Sequence, residues 1–588
     1  MLALFMSANF IGYSMQSIST SSFRPISQQL FEALLNGGDK TALELGKAQY
    51  SYSELRDLVF AFAFILSEHK VSRLGILSHR SLEVYRALLG SIISGCTNVP
   101  LNPIFPKEKT AFIIEHSQCS HIFIAPECVD YAIKLLKDVY PKDKLINLKL
   151  LVSKQVQELL ISADASWGKL TVVYDECSQG GSWGSSGESI VEHLRAVKVA
   201  ENDILHILYT SGTTGQPKGV MVSQGNYAYY FEQINKLYEF KSSDVFSHFA
   251  EITFDINLQD PLCALINHGT LVCPTKADLL TPHRFIRAHN ITVIHAVPSL
   301  INYMRKIKAL DKEHNETLRL SIFIGEALWY QQLVAFNKAY PCSRIINTYG
   351  PTETTVAVSY YEVKPEQLAD TKLAQNIVPL GVPFGETKFI VCDEHKNEVK
   401  DGEYGELCIG GPQLTLGYYR NNAKNQEAFF EHEGERWYAT GDQVQSFAEV
   451  LIADCAQGHK GQSIKNFNYI GRNDDMIKLH GYRISLYEIE EQLGKLTNLP
   501  VKAIPASTIV NGIPEMILIA AIEGASAEHI AALEQSFSQK LVFYMVPKYT
   551  LSLSVFPLNS NGKVDRKKLR QQALAQLKLS LGISFDAT

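Results

Sequence analysis

The 588-residue chain is too long for one ordinary core, so two or more domains are expected. Its 46% hydrophobic and 20% charged residues suit a soluble globular protein, and a net charge of −6 offers no basic excess for a nucleic-acid partner. The ten cysteines form no CxxC pair, so neither a zinc site nor a thioredoxin-like site is signalled. Several, as in LVCP at 271–274, read as small buried hydrophobes of a reducing compartment.

The first charged residue is Arg24. MLALFMSANFIGY is apolar, but it lacks the basic start of a secretory signal and Ser7 and Asn9 interrupt it. Residues 1–25 therefore read as a disordered leader. No later stretch is long and apolar enough to span a bilayer, so a cytoplasmic protein without membrane insertion is expected. From about residue 50 to 380, short apolar runs alternate with amphipathic stretches. DILHILYT (203–210), TLVC (270–273), TVIHAVPS (292–299), SIFIG (321–325) and RIINTYG (344–350) read as buried strands, and LWYQQLVAFNKAY (328–340) as a helix between two of them. That alternation predicts an α/β fold with parallel-sheet subdomains.

From 386 to 480, KFIVCDE, GELCIGG and NFNYIGR alternate with Gly-containing turns, which predicts an antiparallel, barrel-like subdomain. SLYEIEEQL (485–493) and MILIAAI (516–522) then predict a small α+β unit. The domains are read as a core over 26–473 and a mobile C-terminal domain over 474–588. CSQGGSWGSSGES (177–189) and ADCAQGHKGQS (453–463) read as loops, either lids or exposed insertions.

The sharpest chemical signal is YTSGTTGQPKGV at 209–220, which follows a predicted strand. Thr210 leads into it. Ser211, Thr213 and Thr214 offer hydroxyls, and Gly212, Gly215 and Gly219 let backbone N–H groups turn toward an anion. Lys218 adds positive charge, so the composition suits a polyphosphate. It is not a Walker A loop, because Lys218 follows Pro217 and precedes Gly219.

At this point the sequence resembles the ANL adenylating enzymes, which include peptide-synthetase adenylation domains, acyl-CoA synthetases and luciferases. The resemblance covers about residues 30 to 570 and keeps the family's motif order: YSYSEL (50–55), NVPLNPIFPKEK (98–109), the phosphate loop, FDINLQD (254–260), NTYGPTETT (347–355), GELCIGG (405–411), WYATGD (437–442), YIGRNDDMIKLHGYRI (469–484) and NSNGKVDRKKL (559–569).

The resemblance implies ATP and Mg2+ as cofactors, with Glu353 holding the metal and Thr352 donating to the α-phosphate. Tyr349 would stack on adenine, Asn347 would meet its amino edge, and Asp442 with Arg472 would hold the ribose. Read alone, Glu353 is a first-turn helix acid, Asp442 a turn former and Lys563 a solvated lysine. In the family, the counterpart of Lys563 enters the site to bridge the substrate carboxylate and the phosphate. The counterpart of Asp474 is the hinge that later brings the loop around Gly481 to the site.

Asp255 stands where amino-acid-activating members pair with the substrate ammonium; its local alternative is a helix N-cap. Ile256, Gln259, Ile322, Ile324, Gly325, Thr348, Val356 and Ala357 would complete the pocket, with no second charge among them. The motif wording is nearest to stand-alone D-alanine–carrier protein ligases, which carry a cysteine where this chain has Ile324. The larger side chain points to glycine as the small amino acid, as in the glycine–carrier protein ligases of lipid A modification. About twenty residues follow the last motif, so the expected acceptor is the phosphopantetheine thiol of a separate carrier protein. D-alanine as the substrate of such a ligase, coenzyme A as acceptor, and an inactive nucleotide-binding homologue are the alternatives.

Overall fold

Aliphatic and β-branched runs separated by amphipathic stretches close into two mostly parallel sheets. The structure, a computed structural model, describes residues 23–140, 148–173, 185–210, 216–370, 372–373, 376–450, 463–472, 476–479, 482–510, 513–558 and 564–581. Among these residues, one sheet has seven strands in the order Thr171–Val173, Lys149–Val152, His121–Ile124, Arg73–Leu77, Thr97–Leu101, Ile204–Thr210 and Lys218–Ser223. All neighbours are parallel except the last pair. Thr97–Leu101 and His121–Ile124 are buried along their whole lengths, as expected of strands covered on both faces.

The second sheet has nine strands, with a parallel centre of Arg344–Tyr349, Leu320–Phe323, Val293–Ala296, Val245–Ser247, Thr270–Cys273 and Thr41–Leu45. Helices Tyr52–Glu68, Leu82–Ile93 and Gln224–Tyr238 lie in one apolar cluster with Leu74 and Ile76 of the first sheet and Leu320 and Ile322 of the second. Tyr52–Glu68 opens with a capping box, in which Ser51 Oγ accepts from Glu54 N–H and the Glu54 carboxylate accepts from Ser51 N–H.

The change of pattern after residue 386 is an antiparallel sheet of Lys388–Cys392, Tyr404–Gly410, Glu435–Val450, Phe429–His432 and Ser463–Arg472. Asp442 lies opposite Arg472, and a register shift follows between Gln443 and Val444. Such a bulge re-aims a side chain at a sheet edge. Beyond it, the hairpin Met476–Leu479/Tyr482–Ser485, the three-stranded sheet of Val501–Val510, Ile513–Glu523 and Tyr549–Leu553, and helices Leu486–Thr497, Ala527–Lys540 and Arg566–Leu581 form an α+β unit.

Three expectations shift. The run 177–189 is not all loop: Ser185–Arg195 is a helix, with Glu188 in its first turn and Leu194 buried. Its amphipathic SIVEHL segment outweighs the preceding glycines and serines. Ser463 belongs to a strand, pairing with Val450, rather than to the 453–463 loop; residues 453–462 lie outside the described residues. The helix read over 328–340 starts at Tyr330, because Trp329 is extended and its N–H donates to Gln332 Oε1 in a capping interaction. Residues 1–22 of the leader also lie outside the described residues. No described helix is long and apolar enough to cross a membrane.

Candidate active site

The parallel strands of the larger sheet end side by side, which is where open α/β sheets place their ligands. Arg344–Tyr349 carries Asn347, Thr348 and Tyr349 to that edge, and Leu320–Phe323 leads to Ile324 and Gly325 on the neighbouring strand. Asn347 Nδ2 donates to Pro379 O at 2.9 Å, and Thr348 Oγ1 donates to Phe323 O at 3.1 Å. Gly325 has φ +92°, a conformation that favours glycine.

Opposite this edge stands the antiparallel sheet. Asp442 is 1% exposed, and each of its carboxylate oxygens has a partner. Tyr349 Oη donates to Oδ2 at 2.5 Å and Arg472 Nη1 to Oδ1 at 2.5 Å. Burial, with the Asp442 carboxylate alongside, holds the Tyr349 phenol far above its usual range, so Tyr349 stays protonated and donates. Tyr349 and Arg472 line a cleft of about 1020 Å³, together with Gly325, Glu326, Asn347, Thr348, Gly350 and Lys478.

Asp255 opens the short 3-10 turn Asp255–Leu258, which runs into helix Gln259–Ile266. It is not the N-cap: Phe254 takes that position, and Asp255 Oδ1 accepts from the adjacent Ile256 N–H at 2.8 Å. Its Oδ2 accepts from Thr352 Oγ1 at 2.6 Å, which ties FDINLQD to NTYGPTETT across 97 residues of sequence. Burial pushes the Asp255 carboxyl above its ordinary value, and Glu353 adds to the shift, while Thr352 and the Ile256 N–H oppose it. A carboxylate with that balance gains from an arriving cation.

Glu353 is 1% exposed, and its Oε1 accepts from Tyr418 Oη at 2.7 Å. The ring of the same tyrosine lies 4.7 Å from Lys218 Nζ. Tyr418 therefore joins Lys218 to Glu353, and the sequence reading missed it. Its only signal was the Gly-Tyr pair beyond GELCIGG. Lys218 pairs directly with Thr210 across the antiparallel strands Ile204–Thr210 and Lys218–Ser223. Thr210 Oγ1 is buried with no hydrogen-bond partner among the described residues. Ser211, Gly212, Thr213, Thr214 and Gly215 lie outside the described residues, as do Asp474, Gly481 and Lys563.

Ile322, Ile324, Val356 and Ala357 are buried in one cluster, with Ile256 packed against it, and Gln259 accepts from Tyr230 Oη at 2.7 Å. Thr355 and Val356 both have φ +63°, which β-branched residues rarely adopt. Gln413, also missed in the sequence, over-determines that turn. Its Nε2 donates to Ala357 O at 2.6 Å, and its backbone carbonyl accepts from Thr355 Oγ1 at 2.8 Å. A Cβ added to Gly350 would lie 2.6 Å from both Ala357 Cα and Val356 O. Gly350→Ala is therefore expected to displace the turn and lower the melting temperature, as measured by thermal unfolding.

The hairpin of the C-terminal unit abuts this region. The Tyr482 ring lies 4.7 Å from that of Phe254, Lys478 Nζ lies 5.5 Å from the Tyr349 ring, and Lys109 pairs with Glu488 at 3.0 Å.

The chain belongs to the AMP-binding enzyme family, which matches residues 30–419. It is 32% identical over 400 residues to the D-alanine--D-alanyl carrier protein ligase of Bacillus licheniformis, covering 66% of this chain and 74% of that one. It is 30% identical over 558 residues to tyrocidine synthase 3 of Brevibacillus parabrevis, covering 92% of this chain but only 8% of the synthase. The chain thus spans a small part of the long peptide synthases it matches. The crystal structure of the Vibrio cholerae adenylation domain AlmE, in complex with glycyl-adenosine-5'-phosphate, aligns with TM-score 0.77 and 25% identity, covering 96% of this chain and 100% of that one.

Proposed function

We propose that this chain activates a small amino acid, glycine, with ATP and passes it to the phosphopantetheine thiol of a separate carrier protein. The observation that carries the proposal is Asp255: a half-buried carboxylate bonded to Thr352 of the nucleotide motif and followed by Ile256, which packs against the apolar cluster holding Ile324 and Val356. The substrate ammonium pairs with Asp255, which leaves the substrate carboxylate facing the α-phosphorus. A carboxylate oxygen–phosphorus bond forms as the bond to pyrophosphate breaks.

Asn347 turns its amide nitrogen to Pro379, so its oxygen is the acceptor for the adenine amino group. Tyr349 packs on the base. Asp442, fixed by Arg472, accepts from the ribose hydroxyls once the Tyr349 hydroxyl gives way. Lys218, Thr210 and the loop Ser211–Gly212–Thr213–Thr214–Gly215 hold the phosphates, and Lys563 bridges the reacting carboxylate and phosphate. Glu353, buried and oriented by Tyr418, fits a Mg2+ site made of one carboxylate plus phosphate and water oxygens. The ion would supply charge neutralisation on the phosphates.

In the second half-reaction the carrier thiol attacks the acyl carbon and AMP leaves. Rotation of residues 474–588 about Asp474 would prepare this step, and the contacts of Tyr482 and Lys478 with the site support such a docking. The family resemblance extends the proposal to lipid A aminoacylation as the use of the glycyl thioester.

Glycine is favoured because Ile324, buried at a position read as pocket-lining, is larger than the cysteine of the D-alanine ligases and so leaves less room for a side chain. ATP–pyrophosphate exchange across glycine, D-alanine and L-alanine is expected to run fastest with glycine. Ile324→Cys is expected to move the alanine-to-glycine ratio toward alanine by about 10- to 100-fold, the value of one methyl group in a packed pocket. Faster exchange with either alanine in the unaltered protein would overturn the glycine assignment.

A further inference from the structure

Asp255 lies on a loop whose shape is set from the first sheet's helix layer. The chain leaves strand Val245–Ser247 at His248, runs through Phe249, Ala250 and Glu251, and turns at Asp255–Leu258. His248 is 0% exposed and closes this loop on itself: its Nε2 meets Asn257 Oδ1 at 3.1 Å, two residues past Asp255. Its Nδ1 meets Tyr85 Oη at 2.6 Å, and Tyr85 sits on helix Leu82–Ile93. Tyr85 and Asn257 are 1% and 2% exposed.

Burial, with Arg80 nearby, pushes the His248 imidazole down to about 3, so it is neutral, and burial keeps Tyr85 protonated. A neutral ring between a phenol donor and an amide oxygen has one consistent tautomer, which accepts at Nδ1 and donates from Nε2. Arg80 pins the outward arm of the loop, donating to Phe249 O at 2.5 Å, Ala250 O at 3.2 Å and Glu251 Oε1 at 3.1 Å. The turn bearing Asp255 is thus held at its base by His248 and along its arm by Arg80.

We propose that His248, oriented by Tyr85, is a positioning residue for ammonium recognition: it fixes the turn that aims Asp255 at the substrate amine. The inference rests on Asp255 pairing with that amine. It separates two functions of the site, because the nucleotide contacts of Asn347, Tyr349 and Asp442 do not run through this loop.

The test is ATP–pyrophosphate exchange by the full-length protein and its His248→Leu, His248→Gln and Tyr85→Phe variants, with glycine and with acetate, which lacks the amine. His248→Leu is expected to raise the glycine KM about tenfold or more, leave the ATP KM within about twofold, and erode the preference for glycine over acetate. His248→Gln is expected to recover most of the loss, since its amide can accept from Tyr85 and donate to Asn257. Tyr85→Phe, which removes only a hydroxyl, is expected to raise the glycine KM by about threefold with the ATP KM unmoved, and it serves should the leucine variant not fold. Equal losses with glycine and acetate, or a glycine KM unchanged in the variants, would overturn the positioning role and leave the parent reading standing. A wild-type protein whose exchange ignores amino acids would overturn the parent reading, and this inference with it.

Discussion

Asp255→Ala is expected to lower amino-acid-dependent pyrophosphate exchange by about 10²- to 10³-fold, with the loss falling mainly on the amino-acid KM. Removing one partner of a buried charge pair costs about 3–5 kcal/mol, and the lower part of that span, about 3–4 kcal/mol, corresponds to this range. The ATP KM should move little, because the carboxylate meets the nucleotide only through Thr352. The effect carries a pH signature. Burial raises the Asp255 carboxyl above its ordinary value, so the empty pocket is ionised only above that raised value. The amino-acid KM of the wild type is therefore expected to climb as pH falls through it. The stability sign is opposite. A raised carboxyl favours the folded state at low pH, and that contribution is lost as pH rises through the folded value. Asp255→Asn, which cannot ionise, is thus expected to melt above the wild type at neutral pH, with the gap closing on acidification toward the ordinary aspartate range. An Asn variant no more stable than wild type at neutral pH would contradict the desolvation argument.

Lys563→Ala is expected to remove adenylate formation while sparing thioester formation from supplied glycyl-adenylate. A positioned ammonium acts where charge builds on the phosphate as the carboxylate attacks, and losing such a group costs about 10²- to 10³-fold. Attack of a thiol on an adenylate already made needs no help at that phosphorus. Pyrophosphate exchange and carrier loading, measured side by side, separate the steps. Loss of both, or of neither, would count against Lys563 as the mobile cation of the first step.

Much of the architecture was legible because local pattern and tertiary role coincide. DILHILYT, TLVC and RIINTYG are strands because apolar runs flanked by turn residues have no other way to bury both faces. Asp255 was legible as a motif member, and the structure adds that it does not cap its helix.

What escaped the sequence was whatever depends on long-range contact. Tyr418 and Glu353 are 65 residues apart, and Gln413 and Ala357 are 56 apart, so neither pair leaves a periodic trace. His248 and Tyr85, 163 residues apart, read as ordinary core residues until the loop between them and Asp255 is seen closed. The helix Ser185–Arg195 was hidden for a different reason: its glycine- and serine-rich approach set the local composition, while its apolar stripe begins only at Ile190.

The central claim is that Asp255 reads an amine beside a nucleotide held by Asn347, Tyr349 and Asp442. A crystal structure with the non-hydrolysable analogue glycyl-sulfamoyl-adenosine tests it most directly. The expected result is the glycyl ammonium within hydrogen-bonding distance of the Asp255 carboxylate, with the ribose hydroxyls on Asp442. An analogue bound elsewhere, or bound in this cleft with its ammonium turned away from Asp255 into solvent, would contradict it.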